Sequence, residues 1–198
     1  MSSHRLLTPA DYRRMPWKNG GGRTTEILSH PPHAALDAFD WRVSVADVAK
    51  NGPFSRFGGI DRTIVMISGA GMRLDGDGHA ALLGAPFEPY SFDGDDTIAC
   101  TLVDGPVRDF NLMLRRGRAS GGVVVAREAA TTIVPARFRL SYAAAGAHEC
   151  LFAGHPPVHV AADHALLIES EPAVPFPLAI HPLGGDAVAL VVRIDVNA

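Results

Sequence analysis

Trp41-Arg42-Val43-Ser44-Val45-Ala46-Asp47-Val48 is the stretch on which the fold turns. Its large apolar side chains recur at every second position. It therefore reads as a β-strand, with Trp41, Val43 and Val45 on one side and Arg42, Ser44 and Ala46 on the other. A face of one arginine among small side chains fits two surroundings. One is solvent, the more frequent reason for Arg and Ser to alternate with valine. The other is a cavity wall, because small neighbours leave room beside a fixed cation.

The same texture extends in both directions. Strands are expected at Thr63–Ser68, Thr97–Val103, Asp109–Leu114, Val123–Ala126, Arg137–Tyr142, Leu166–Glu169 and Ala187–Val196. The 20 glycines and 15 prolines are spread between them, a spacing that favours a sandwich or barrel over helical layers. No stretch keeps a 3.6-residue apolar period over three turns. One short helix is predicted over Pro9–Arg14, with Thr8 as its cap and Pro9 in the first helical position. Arg115–Gly122, reading RRGRASGG, is the expected boundary, either as a linker or as a long hairpin loop. No sequence repeat is evident between the two halves.

Composition narrows the function. Apolar residues make up 47%, enough for a packed core, and the net charge of -3 excludes a strongly basic nucleic-acid binder. Apolar runs such as Val188–Val192 are too short to span a bilayer. The first ten residues lack the apolar core of a signal peptide, so the expected address is the cytoplasm, with Cys100 and Cys150 as reduced, buried or half-buried thiols.

Four motifs hold chemistry-bearing side chains. The first, Met15 to Glu26, sets Trp17, Lys18, Asn19, Arg23 and Glu26 around three consecutive glycines, Gly20, Gly21 and Gly22, where the backbone can approach a neighbour or ligand closely. A glycine-rich turn with solvated charges explains it equally well, and the spacing is not that of a phosphate loop. The second is the strand that opens this section. The third, Asn51–Ser55 and Gly58–Arg62, holds turn chemistry, with Phe54 and Ser55, followed by an arginine at a strand mouth. Arg62 there can grip a carboxylate bidentately or join Asp61 in a weak surface pair. In the fourth, Asp104–Met113, Phe110, Leu112 and Leu114 mark the core face. Asp109, Asn111 and Met113 face the other way, toward solvent or a polar hollow.

The histidines lack metal-binding spacing. No His-x-His occurs, and His155 and His159 straddle a Pro-Pro turn, so neither a metal nor another cofactor is expected. No nucleophile elbow is present.

Taken together and in order, MPWKNGGGRTTEI, FDWRVSVADV, GPFSRFGGIDRT and DGPVRDFNLMLRRG, spanning Met15 to Gly117, resemble the HutD/Ves family. The resemblance implies an all-β, double cupin-like (bicupin) fold of antiparallel barrels or sandwiches with few short helices. It implies an N-terminal half over residues 1–117 and a C-terminal half over 118–198, forming one compact unit. It also implies a link to histidine utilisation, or to stress responses in the Ves branch.

The expected function is binding of a small anionic metabolite, formylglutamate- or urocanate-like, in a regulatory role rather than an enzymatic one. The expected ligand-binding residues are Trp17, Lys18, Asn19, Gly20, Gly21, Arg23, Glu26, Arg42, Ser44, Phe54, Ser55, Arg62, Asp109 and Asn111, gathered at one barrel mouth. A buried arginine needs an anion to offset its desolvation, so two arginines select an acidic ligand. The alternative is a metal-independent isomerase or hydrolase using Glu26, Asp109 or Lys18. A third reading is a metal cupin with ligands such as His148, Glu149 and His155. No nucleic-acid or membrane partner is expected. Exposed strand edges leave a homodimer open.

Overall fold

The structure is a computed structural model, and it describes residues 3–17, 20–133, 135–170 and 176–197. In chain order its strands are β1 (Ser3–Leu7), β2 (Arg13–Pro16), β3 (Gly22–His30), β4 (Trp41–Val48), β5 (Gly52–Pro53), β6 (Ile60–Ser68), β7 (Met72–Gly76), β8 (His79–Leu83) and β9 (Pro89–Asp93). They continue as β10 (Ala99–Leu102), β11 (Val107–Arg115), β12 (Ala119–Ala126), β13 (Ala130–Thr132), β14 (Phe138–Phe152), β15 (Val158–Val160), β16 (Ala165–Glu169) and β17 (Leu178–Val196).

No described residue is helical, so the expectation of short helices is corrected. At Pro9–Arg14 the Asp11 carboxylate takes the Thr8 amide and hydroxyl at 2.8 and 2.9 Å and closes a turn. Thr8 thus serves a turn rather than a helix. Arg13–Pro16 then pairs as an edge strand with Arg23–Glu26, and Pro16, which cannot donate to a ladder, sits at its end.

The chain forms two compact units, Tyr12–Ala119 and Met1–Asp11 with Ser120–Ala198. The first is inserted in sequence between the parts of the second. β1 belongs to the flanking unit because it pairs with β16, Ser3 opposite Glu169.

The inserted unit holds a six-stranded sheet, β2-β3-β4-β11-β6-β9, and a four-stranded sheet, β5-β10-β7-β8, all antiparallel where paired. Both sheets feed one apolar cluster. Ala46, Val48, Ile64 and Met66 come from the larger sheet, and Met72, Leu74, Leu83 and Cys100 from the smaller. Full burial of each large side chain contributes about 1.5–3 kcal/mol, and this holds the two layers together.

The flanking unit is one sheet, β1-β16-β14-β17-β12, with β13 on β17 and β15 on β14. β14 and β17 pair from Phe138 opposite Ile194 to Phe152 opposite Leu178, with bulges between Ala143 and Ala147. Ala143 before the bulges and Cys150 and Phe152 after them reach the same core cluster. The long sheet is therefore bent over its own apolar face, as bulges permit.

Its central strand begins Phe138-Arg139-Leu140-Ser141-Tyr142-Ala143. That repeats the aromatic-Arg-aliphatic-Ser-x-Ala pattern of Trp41–Ala46, a short internal repeat the sequence reading passed over. Cys100 and Cys150 are free and buried. Among the described residues no helix is long and apolar enough to cross a membrane.

Candidate functional site

A hollow of about 480 Å³ opens in the inserted unit. Strand pairing explains its walls. On β4 the alternation places Arg42, Ser44 and Ala46 toward it. On β11 it places Asp109, Asn111 and Met113 there, paired with Ala46, Ser44 and Arg42 in turn. Arg62 on β6 lies opposite Met113 and completes the row. The apolar partners Val43, Val45, Phe110 and Leu112 on the opposite faces are buried, which fixes the register.

The polar floor is a connected network. The Arg42 Nε–H donates to Glu26 Oε2 at 2.6 Å, with both side chains nearly water-free. Glu26 lies opposite Ser44, on the Arg42 face of β4, and so reaches Arg42 one diagonal step away. Arg62 Nη2 donates to Asn111 Oδ1 at 2.7 Å and Nη1 to the Ser55 carbonyl at 3.4 Å. Asn111 Nδ2 in turn donates to Asp109 Oδ1. Three polar atoms of this floor are buried without a partner among the described residues: Arg42 Nη2, Arg62 Nε and Asp109 Oδ2. Such atoms are costly, and they mark a network with capacity left over.

Electrostatics follow from burial. Loss of water pushes the Asp109 carboxyl up to about 7, with the Arg62 charge and the Asn111 amide pulling the other way. Arg62 falls to about 10 for the same reason, partly offset by Asp109 and lowered further by Arg42. Its guanidinium lies 5.3, 5.6 and 4.8 Å from the ring centres of Phe54, Phe57 and Phe92, a cage that stabilises a cation and fixes its plane.

The remaining expected residues divide. Trp17, Phe54 and Ser55 line the hollow, and Trp17 Nε1 donates to Thr24 Oγ1 at 2.8 Å. Gly22 lets the chain pass between Trp17 and β4, since a methyl there would run into the Asp47 carbonyl and meet the Trp17 ring at 3.2 Å. Gly20, exposed and at φ 66°, and Gly21 form the preceding turn and do not line the hollow. Arg23 is exposed and binds Asp47 at 2.7 Å, away from the hollow. Glu26 stands behind the wall as the partner of Arg42. Lys18 and Asn19 lie outside the described residues.

Asp61, the neighbour of Arg62, is exposed and accepts from Arg116 at 3.0 Å. Sequence reasoning missed the apolar rim of Met15, Leu36 and Phe57, and also Thr24. Only Phe57 carried a legible signal, as the third residue after Phe54 in the same turn.

Of the histidines named as metal candidates, His148 is buried, with Nε2 2.5 Å from Ser141 Oγ. No three of His, Cys, Asp and Glu among the described residues are grouped to hold a metal.

The HutD family model matches residues 9–182. A Pseudomonas putida protein described as an uncharacterized 21.2 kDa protein in the hutC 3' region is 46% identical over 113 residues, 57% of this chain and 59% of that one. The protein Ves of Citrobacter koseri is 39% identical over 126 residues, 62% of this chain and 65% of that one. The matched stretch thus spans less than two thirds of either of these relatives. HutD from Pseudomonas fluorescens SBW25, solved in a formate condition, superposes with a TM-score of 0.83 at 29% identity, covering 99% of this chain and 100% of that one. A Lactobacillus farciminis oxalate decarboxylase superposes at 0.66 with 8% identity over 96% of this chain and 85% of that one, which shows a shared cupin-like fold alone.

Proposed function

The chain belongs to the HutD family, and we propose that its inserted unit is a receptor for a small organic anion, with a regulatory role in histidine utilisation or stress response. The observation that carries this reading is Arg62. It is 7% exposed, caged by three phenylalanines, and hydrogen-bonded only to neutral oxygens, with no ion pair among the described residues. A buried guanidinium without a contacting carboxylate is an anion site in waiting. Arg42 by contrast already holds Glu26.

The ligand's carboxylate docks at Arg62, with Asn111 and Ser44 beside it and Trp17, Phe54 and Phe57 as walls. A carboxylate with a flat conjugated body or a planar amide, urocanate- or formylglutamate-like, suits this mixture. The P. putida relative's name, which places it beside hutC, supports the pathway. A cytoplasmic address fits two free thiols.

The test is a thermal-shift panel of urocanate, N-formylglutamate, formate, acetate and their neutral amides. A carboxylate at a hundred times its dissociation constant should add about 2.7 kcal/mol of stability, and Arg62→Met should abolish the gain. Equal stabilisation by the neutral amides would refute the reading. A second reading, a metal-independent enzyme, is favoured by Asp109 alone, whose carboxyl titrates near neutrality as a general acid–base group must. Turnover of a bound carboxylate followed by NMR decides it.

A further inference from the structure

We infer that Asp109 and the bound anion take turns as the counter-ion of Arg62, so that ligand binding draws one proton onto Asp109. The inference rests on the anion-receptor reading and adds a rule for which anions enter and when. Asn111 is the link. It accepts from Arg62 Nη2 through Oδ1 and donates to Asp109 through Nδ2, so Arg62 and Asp109 are held apart by one amide rather than joined. A buried cation and a buried carboxyl so placed feel each other strongly, yet neither satisfies the other by contact.

The surrounding charges are few. From β4, Arg42 is paired with Glu26 of β3, which the exposed Arg13 of β2 also approaches at 3.8 Å, and Asp47 is engaged by Arg23 and by Arg108 of β11. From β10 comes the thiol of Cys100, which burial, helped by the Asp109 charge, pushes up to about 11. Among the described residues that line the hollow, Arg62 is therefore the one cation without a contacting carboxylate. With Asp109 ionised, the site sums to zero and an anion entering would be unpaired. With Asp109 neutral, the site carries one positive charge and accepts one negative charge. One carboxylate group fits this balance, so any second carboxylate of a ligand must lie away from this floor. Burial already holds Asp109 near the middle of this titration, at about 7.

Linkage sets the size of the effect. If only the neutral-Asp109 form accepts the anion, the apparent dissociation constant rises as that form is depleted, by about tenfold between pH 6 and pH 8. By reciprocity a saturating anion raises the Asp109 pKa.

Formate is the probe, because its own charge is constant over this range. Its affinity for the full chain should be measured by NMR titration at pH 6, 7 and 8, alongside the Asp109 side-chain carbon followed against pH with and without saturating formate. Roughly tenfold weaker binding at pH 8 and an upward move of the Asp109 titration support the inference. Asp109→Asn should bind formate at pH 8 as tightly as the parent does at pH 6, with no pH dependence. A merely structural role predicts weaker binding instead. Formate binding that is flat from pH 6 to 8, or a pH dependence that survives in Asp109→Asn, overturns the proton coupling and leaves the receptor reading intact. No formate binding at any pH overturns both. If Asp109→Asn does not fold, the carbon titration of the parent chain decides by itself.

Discussion

Two arginine–carboxylate pairs in the inserted unit form a natural comparison. Arg42–Glu26 and Arg23–Asp47 have the same chemistry and separations of 2.6 and 2.7 Å. They differ in burial, with side chains 4% and 5% exposed in the first and 60% and 38% in the second. Glu26→Ala strands the Arg42 guanidinium in a low-dielectric wall, with Arg42 Nη2 already lacking a partner. Breaking a buried pair in this way costs about 3–5 kcal/mol, because an uncompensated charge remains. Arg23→Ala opens a solvated pair and should cost no more than about 1 kcal/mol. Pairing Glu26→Leu with Arg42→Met removes both charges at once and should recover most of the loss, since an apolar replacement of similar volume is often neutral. Equilibrium urea unfolding read by tryptophan fluorescence is the right assay. Both tryptophans, Trp17 and Trp41, lie in the inserted unit, so the signal reports on that unit rather than on the flanking one. Equal losses for Glu26→Ala and Arg23→Ala would show that burial does not set the value of these pairs and would refute the argument.

Burial holds His148 neutral and pushes its pKa down to about 4. The unfolded chain, with a histidine near 6.5, then binds the extra proton first as pH falls. Stability should therefore be full above about pH 6.5 and decline toward pH 4, by at most about 3 kcal/mol. Circular dichroism melts of the parent and of His148→Gln should differ in slope across that window, and identical slopes would refute the assignment. Burial also raises the Cys100 and Cys150 thiols to about 11 and about 12, so neither should react with a disulfide reagent at pH 8 until denaturant is added. Rapid native labelling of either one would contradict that. Gly22→Ala forces a methyl onto the Asp47 carbonyl and the Trp17 ring, and should cost about 1–3 kcal/mol by fluorescence-detected urea unfolding. An unchanged midpoint would mean the backbone yields freely there.

Much of this site was written plainly in the chain. Trp41–Val48 is the observed extent of β4, because each face of that strand has one consistent environment. The same alternation announced Asp109 and Asn111 on one side of β11 and Phe110 and Leu112 on the other. Where alternation breaks, legibility ended. Past Glu26 a bulge shifts the parity of β3, so that Ser29 rather than Leu28 lies opposite Arg42, and nothing in GRTTEILS marks it. The strands predicted at Arg137–Tyr142 and Ala187–Val196 run on to Phe152 and back to Leu178. The alanine- and glycine-rich Ala143–Ala147 carries little strand propensity of its own, and its partner across the ladder imposes the extended form. The edge strands β2 and β8 were missed for a related reason: short, largely exposed segments have weak patterns. The aromatic cage of Arg62 joins Phe54 and Phe57 to Phe92, and long-range closure of that kind leaves no local trace.

The pairing of β1 with β16 has a consequence for how the molecule is made. As the chain leaves the ribosome, Tyr12–Ala119 has all of its sheet partners once Ala119 has emerged, and it can close early. Ser3–Leu7 must wait until Ala165–Glu169 has been synthesised before its ladder can form. The inserted unit is thus the part that can mature first, while β1 stays an open edge until Glu169 has emerged. A chain stalled between those two points would hold a folded inserted unit and an unfinished second sheet, with β1 as its exposed aggregation hazard.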